Sequence, residues 1–123
     1  MQIDTRLSEE IASYLDLAAS EAKLTAANMA NIDTPGYRTV GMDFEAEMRQ
    51  AIDGIGDGTG GGRPARQARI HAVDGLIARP DGNNVSMDRE SLNLAEAQLK
   101  FKTGVALLRQ EYQRVMDAIH ADK

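Results

Sequence analysis

Apolar residues over the first thirty or so positions fall on one stripe. Leu7, Ile11, Tyr14 and Ala18 are separated alternately by four and three residues, and Ala22, Thr25, Met29 and Ile32 carry the stripe onward. That spacing puts them on one face of a helix. With Asp4 or Thr5 as N-cap, it predicts a helix from about Thr5 to Met29, roughly 35–40 Å long at 1.5 Å per residue. A stronger pattern fills the C-terminus, where Phe101, Val105, Leu108, Tyr112, Val115 and Ile119 recur at four, three, four, three and four residues. A period of 3.5 is the mark of a coiled-coil seam. Leu92, Ala95 and Leu99 add an upstream patch slightly rotated on the same helix, which Asp88 is placed to cap and which runs to Ala121, on the order of 50 Å. Gly104 interrupts this helix at a cost of about 1 kcal/mol against Ala. A close approach by another helix and a tolerated weak spot both account for it.

Between the two patterns the chain is irregular. Asp33-Thr-Pro-Gly36 stops the first helix: Pro35 has no N–H and biases Thr34 away from the α region, while Gly36 can take the positive φ of a type II turn. Asp43 offers an N-cap for a short amphipathic piece with Phe44, Met48 and Ile52 on one face. From Gly54 to Gly62 the sequence is Gly-Ile-Gly-Asp-Gly-Thr-Gly-Gly-Gly, too costly in backbone entropy to order unaided, and it reads as a flexible loop. It lacks the Lys-Ser/Thr of a Walker A loop and the flanking strand and helix of a dinucleotide fingerprint. Arg69–Val73 and Gly75–Arg79 each read as a short strand bounded by Asp74-Gly75 and Pro80-Asp-Gly82, which predicts a small hairpin. The expected fold is mainly α: two long terminal helices packed as a coiled-coil-like pair around an irregular middle containing a small β-hairpin. Its parts are residues 1–38, the first helix and turn; 39–85, the middle; and 86–123, the last helix.

Composition narrows the function. The chain has 123 residues, 4% aromatic content and no Trp, with a mean hydropathy of -0.40, which leaves little bulk for a self-sufficient core. A net charge of -5 opposes nucleic-acid binding, whose footprint is a basic stripe. The absence of cysteine removes disulfides and thiolate metal sites. His71 and His120 lie far apart without a second ligand at metal spacing, and His120 sits where a helix C-terminus favours a cation. The pairs Glu9/Glu10 and Glu45/Glu47 read as solvated helix surface, and no serine has a histidine placed to complete a triad. No catalytic, cofactor-binding or metal-binding residues are expected, and an enzyme is not. Met1–Glu10 has no basic segment followed by an apolar one, so no secretory signal is expected. No apolar run approaches the roughly 20 residues of a membrane span.

Asn28 and Asn31 share one helix face in a setting of alanines. They have two readings: capping of the helix C-terminus, or hydrogen bonds across a helix interface. The run Ala26-Ala-Asn-Met-Ala-Asn-Ile-Asp-Thr-Pro-Gly-Tyr37 resembles the N-terminal motif of bacterial flagellar rod and hook proteins, with Met29 where Ile is more usual. Val40–Phe44, Gly82-Asn-Asn-Val-Ser-Met-Asp-Arg-Glu90 and Leu94-Ala-Glu-Ala-Gln-Leu-Lys-Phe101 resemble the proximal-rod members of that family. The resemblance implies a structural subunit of the flagellar basal-body rod, in the periplasm, exported by the flagellar type III apparatus without a cleaved signal. It implies partners among other copies of the chain, other rod and basal-body proteins and the export apparatus, and polymerisation through the terminal helices into the tube that carries torque around the export channel. The assembly interface expected on this basis takes Leu7, Ile11, Tyr14, Asn28, Asn31, Thr34, Pro35, Gly36 and Tyr37 from the first part of the chain. From the last helix it takes Leu99, Phe101, Val105, Leu108, Tyr112, Val115 and Ile119. The other proximal-rod protein of the family and a helical export chaperone are the alternatives. A chaperone has no need of the Asn-x-x-Asn and Thr-Pro-Gly-Tyr signature, and a peptidoglycan-cutting enzyme needs a carboxylate dyad in a globular domain that the middle segment has no room for.

Overall fold

A computed structural model describes residues 5–56 and 68–121. Helix α1 spans Arg6–Ala30, strand β1 Val40–Gly41, helix α2 Phe44–Gly56, strand β2 His71–Ala72 and helix α3 Met87–His120. α1 and α3 lie antiparallel: Thr5 at the start of α1 meets Glu111, and Asn28 near its end meets Glu90. Both terminal helices predicted from periodicity are present, within a residue or two of the expected bounds.

Local chemistry accounts for the helix starts. Thr5 caps α1 in a capping box, its hydroxyl accepting from the Ser8 amide while the Ser8 hydroxyl accepts from the Thr5 amide. α3 is capped by Ser86, which accepts from the Arg89 amide, and not by Asp88. Asp88 instead lies in the first turn, where its charge opposes the helix dipole's positive end. α2 begins as expected after Asp43, whose carboxylate accepts from the Ala46 amide. It runs on through Gly56, so the first three residues of the glycine-rich stretch are helical, and the rest of that stretch lies outside the described residues. The expected hairpin between Arg69–Val73 and Gly75–Arg79 does not form. β2 pairs instead antiparallel with β1, Val40 opposite Ala72 and Gly41 opposite His71.

The α1–α3 contact is close and thinly apolar. α3 turns Glu90, Ala97, Gly104 and Glu111 to the interior, each seven residues apart. Gly104 marks the closest approach: a Cβ there would lie 2.6 Å from Leu15 Cδ2 and 3.1 Å from Tyr14 Cδ1. Of the expected seam residues, Ile11 is buried and Tyr14, Val105, Leu108 and Val115 are half-buried. Leu7, Leu99, Phe101, Tyr112 and Ile119 face outward. α1 therefore packs beside the apolar stripe of α3 and not over its centre. Tyr14 meets Phe44 of α2 edge to face at 5.5 Å, and Lys100, bonded to Glu21, lies 4.0 Å above the same ring. That one cluster joins all three helices.

Candidate functional site

The Ala26–Tyr37 and Gly82–Glu90 motifs, some fifty residues apart in the chain, converge at one end of the helical hairpin. The Thr34–Tyr37 turn closes with the Tyr37 amide donating to the Thr34 carbonyl at 3.2 Å, and Gly36 has φ +74°, the positive value expected of it. A second turn, Arg79–Gly82, packs against it. The Gly36 amide donates to the Asp81 carbonyl at 2.8 Å and the Asn84 amide to the Tyr37 carbonyl at 3.3 Å. Gly82, also at positive φ, would carry a Cβ 3.3 Å from Gly36 Cα, so the close contact favours glycine at 82, while Gly36 answers to its positive φ alone.

Buried amide side chains hold the turns to the helices. Asn28 uses its whole hydrogen-bonding capacity. Its NH2 donates to the Val40 carbonyl at 2.8 Å and to Glu90 Oε2 at 3.1 Å, and its Oδ1 accepts from the Val40 amide at 3.1 Å and the Tyr37 hydroxyl at 3.0 Å. Asn83 reads the open end of α1, donating to the Asn31 and Thr34 carbonyls, both at 2.9 Å, while its Oδ1 accepts from the Val85 amide. Asn84 Oδ1 accepts from the Thr39 amide at 2.7 Å. Arg79 adds a bond from its guanidinium to the Ile32 carbonyl. Glu90, fully buried, is neutralised by Arg89 at 2.6 Å. The Ala27, Asn28 and Met29 carbonyls of the last turn of α1 are bonded locally by Asn31 and the Ile32 amide, and Asn83 and Arg79 bond the carbonyls of Asn31, Ile32 and Thr34 just beyond it.

Asn28 does bond across a helix interface, but that interface is the chain's own, between α1 and α3. Asn31 is a cap. It is the C-cap residue, its amide group donating to the Ala27 carbonyl at 2.8 Å and its Oδ1 accepting from the Thr34 hydroxyl. Thr34, Pro35 and Gly36 are exposed at the tip. Sequence reasoning passed over Thr39, Asn83, Asn84 and Glu90 as site residues. The available signal was an Asn-Asn pair directly after a Pro-Asp-Gly turn and before a capped helix, a place where amides bond backbone.

The opposite end is held by charge. Glu111 accepts from the Thr5 hydroxyl at 2.9 Å and from Arg114 at 3.0 and 3.1 Å. The Arg114 hydrogen bond is the main reason its carboxyl lies below the usual glutamate range, against the opposing effect of burial. The same pairing raises Arg114. Among the described residues no three His, Asp or Glu side chains are gathered as a metal-binding set, and no helix is long and apolar enough to cross a membrane.

Comparison with known proteins points the same way as the motifs. The chain is 34% identical over 119 residues to the flagellar basal body rod protein FlgB of Salmonella typhimurium, spanning 85% of this chain and 86% of the relative. It is 32% identical over 120 residues to FlgB of Cereibacter sphaeroides, with 90% and 91% covered. To FlgB of Escherichia coli K12 it is 26% identical over 121 residues. No family model matches the chain.

Proposed function

The chain belongs to the FlgB family of flagellar basal body rod proteins, and from that premise we propose that it is a structural subunit of the proximal rod which polymerises through its terminal helices around the export channel. The observation that carries the reading is the extent of the likeness, too long to rest on one helix. The hairpin suits the task. Its closed end is fixed by the buried amides of Asn28, Asn83 and Asn84, so the exposed Thr34–Gly36 tip holds its shape without apolar bulk beneath it. Its apolar surface is left largely outside, as a subunit that completes its core with neighbours requires. A repeated contact between unlike faces, with a rotation and a rise, builds a helical tube. Its partners are then other copies of the chain, other rod and basal-body proteins and, in transit, the flagellar export apparatus, with no signal removed on the way.

Replacing the chromosomal copy by an epitope-tagged one and purifying basal bodies tests this. The tagged chain is expected in the rod fraction, its N-terminus intact or lacking only Met1, and a null strain should be non-motile and rodless. A null strain with normal rods, or a chain secreted but absent from basal bodies, overturns the reading.

A further inference from the structure

Asp-Gly occurs in the chain as Asp53-Gly54, Asp57-Gly58, Asp74-Gly75 and Asp81-Gly82, and Asn-Gly does not occur. The pair carries a chemistry of its own. A backbone nitrogen that follows aspartate can attack the side-chain carboxyl carbon and close a five-membered imide, and glycine, with no Cβ, leaves that approach open. The peptide unit between the two residues has to rotate for the ring to close, so the fold decides which pairs react. Asp57-Gly58 lies outside the described residues. The other pairs stand in different settings.

Two of them are held. Asp53 and Gly54 lie inside α2, where the dihedrals are fixed and an interior amide is bonded to the carbonyl four positions back. Asp81 and Gly82 belong to the turn packed against Gly36. The Gly82 amide donates to the Arg79 carbonyl at 2.8 Å, and the Asp81 carbonyl accepts from the Gly36 amide at 2.8 Å. The Asp81 carboxylate accepts from the Asn83 amide at 3.0 Å. Nucleophile, peptide unit and carboxyl group are all engaged there. Asp74-Gly75 has none of these restraints. Both residues are exposed, and no backbone group of residues 74–78 bonds to another backbone group among the described residues. Asp74 forms no ion pair among them. Gly75, at φ +83°, has open space where a Cβ would point.

We infer that Asp74-Gly75 is a site of spontaneous isoaspartate formation, the one that the fold leaves reactive among the described Asp-Gly pairs. The Gly75 nitrogen bonds to Asp74 Cγ and a C–O bond of that carboxyl breaks, its hydroxyl leaving with the amide proton as water. Water then adds to the imide. Cleavage of the new bond to Cγ restores aspartate. Cleavage between the nitrogen and the main-chain carbonyl carbon gives isoaspartate, whose main chain runs through Cγ and whose α-carboxylate is released. One water leaves and one returns, nothing is oxidised, and mass and charge are unchanged. The main chain is longer by one carbon. On one side the Val73 amide is bonded to the Thr39 carbonyl at 3.0 Å, and on the other the Arg79 amide to the Asn83 carbonyl at 2.8 Å. The added length is therefore taken up between them, in the segment that carries Ile77 at 93% exposure, and the helices and closed end keep their contacts. The released α-carboxylate is the group that an S-adenosylmethionine-dependent isoaspartyl methyltransferase esterifies, which gives the site a class of enzyme partner. None of this depends on the rod reading.

Ageing the purified chain at neutral pH, folded and in urea, tests the inference. After digestion, electron-transfer fragmentation separates isoaspartate from aspartate at each position, and the methyltransferase with labelled S-adenosylmethionine marks the same peptide. In the folded chain isoaspartate should rise with time at 74 while 53 and 81 stay at the level of fresh protein; in urea all three should gain it. Asp74→Glu keeps the charge but needs a six-membered ring, and should lose the signal at 74. Asp74→Asn closes the same ring with loss of ammonia, and should convert to the acid in the folded chain. Isoaspartate at 53 or 81 that keeps pace with 74 in the folded chain would show that the fold does not select the site, and would overturn the inference. An Asp74 that stays unchanged in the folded chain, whatever happens in urea, overturns it as well. Either result leaves the rod reading intact.

Discussion

At the residue scale the molecule relies on amides where a larger protein would use apolar bulk. Asn83 is the clearest case, since its NH2 is what the Asn31 and Thr34 carbonyls bond to. Asn83→Ala leaves both acceptors short of a partner, and urea denaturation should show a loss of about 1–3 kcal/mol. Asn31→Ala removes two exposed bonds, one to its own helix and one from the Thr34 hydroxyl, and should cost about 0.5–1.5 kcal/mol. Equal losses would mean that Asn83 is not the clamp described. Glu111 sets a pH dependence whose sign is fixed. Its folded value is depressed below the ordinary 4.5, so its stabilising effect is complete above that value and fades as the pH falls through the lower folded one. The urea midpoint should therefore drop on acidification from pH 6 to pH 3, and the drop should be smaller in Glu111→Gln. An unchanged slope in that variant would remove Glu111 from the account.

At the scale of elements, the spacing of α1 and α3 depends on a missing side chain. Gly104 lies where a Cβ would come within 3.0 Å of Leu15 Cγ as well as closer to Cδ2. Gly104→Ala has to move the end of Leu15 but recovers about 1 kcal/mol of helix propensity, so its stability should stay within about 1 kcal/mol of the parent. Gly104→Leu cannot be fitted by such a shift and should lose on the order of 1–3 kcal/mol from overpacking. Thermal denaturation of the two variants separates these outcomes; a Leu variant as stable as the Ala variant would show that the helices are not held at this distance. The ambiguous glycine of the sequence is thus a close-approach position, a reading that needed the partner's side chains to decide.

For the whole molecule, order should be graded along the hairpin. Among the described residues the buried apolar set is Ile11, Leu17, Ala18, Val85 and Ala97, while Thr25, Asn28, Thr39, Glu47, Asn83, Asn84, Glu90 and Glu111 are buried polar groups. Most of these polar groups cluster at the closed end. Beyond Glu111, α3 offers Tyr112, Met116 and Ile119 to solvent. Ordering each residue costs on the order of 1–2 kcal/mol, and few contacts offset it there. In the dilute monomer, hydrogen exchange should be slowest around Asn28, Asn84 and Glu90 and fastest from Tyr112 onward, and protection of that last segment should rise in assembled rods. Uniform protection along α3 would refute this gradient.

The two long helices, the stop at Asp33–Gly36, the positive φ of Gly36 and the family are all legible in the linear chain. Each depends on local periodicity, fixed backbone chemistry or a run of contiguous residues, all of which are written in one stretch of chain. The linear chain did not determine which stripe of α3 would meet α1. The apolar repeat from Phe101 to Ile119 was the stronger pattern, yet the helices pack along Glu90, Ala97, Gly104 and Glu111, because a glycine and an alanine admit a backbone that bulky residues keep out. Nor did it determine that β2 pairs with β1, or that Asn83, Asn84 and Glu90 tie the end of α1 and the turn after it to the start of α3. Those bonds link residues 45 to 62 positions apart, and their geometry exists only once the two motifs have been brought together in space.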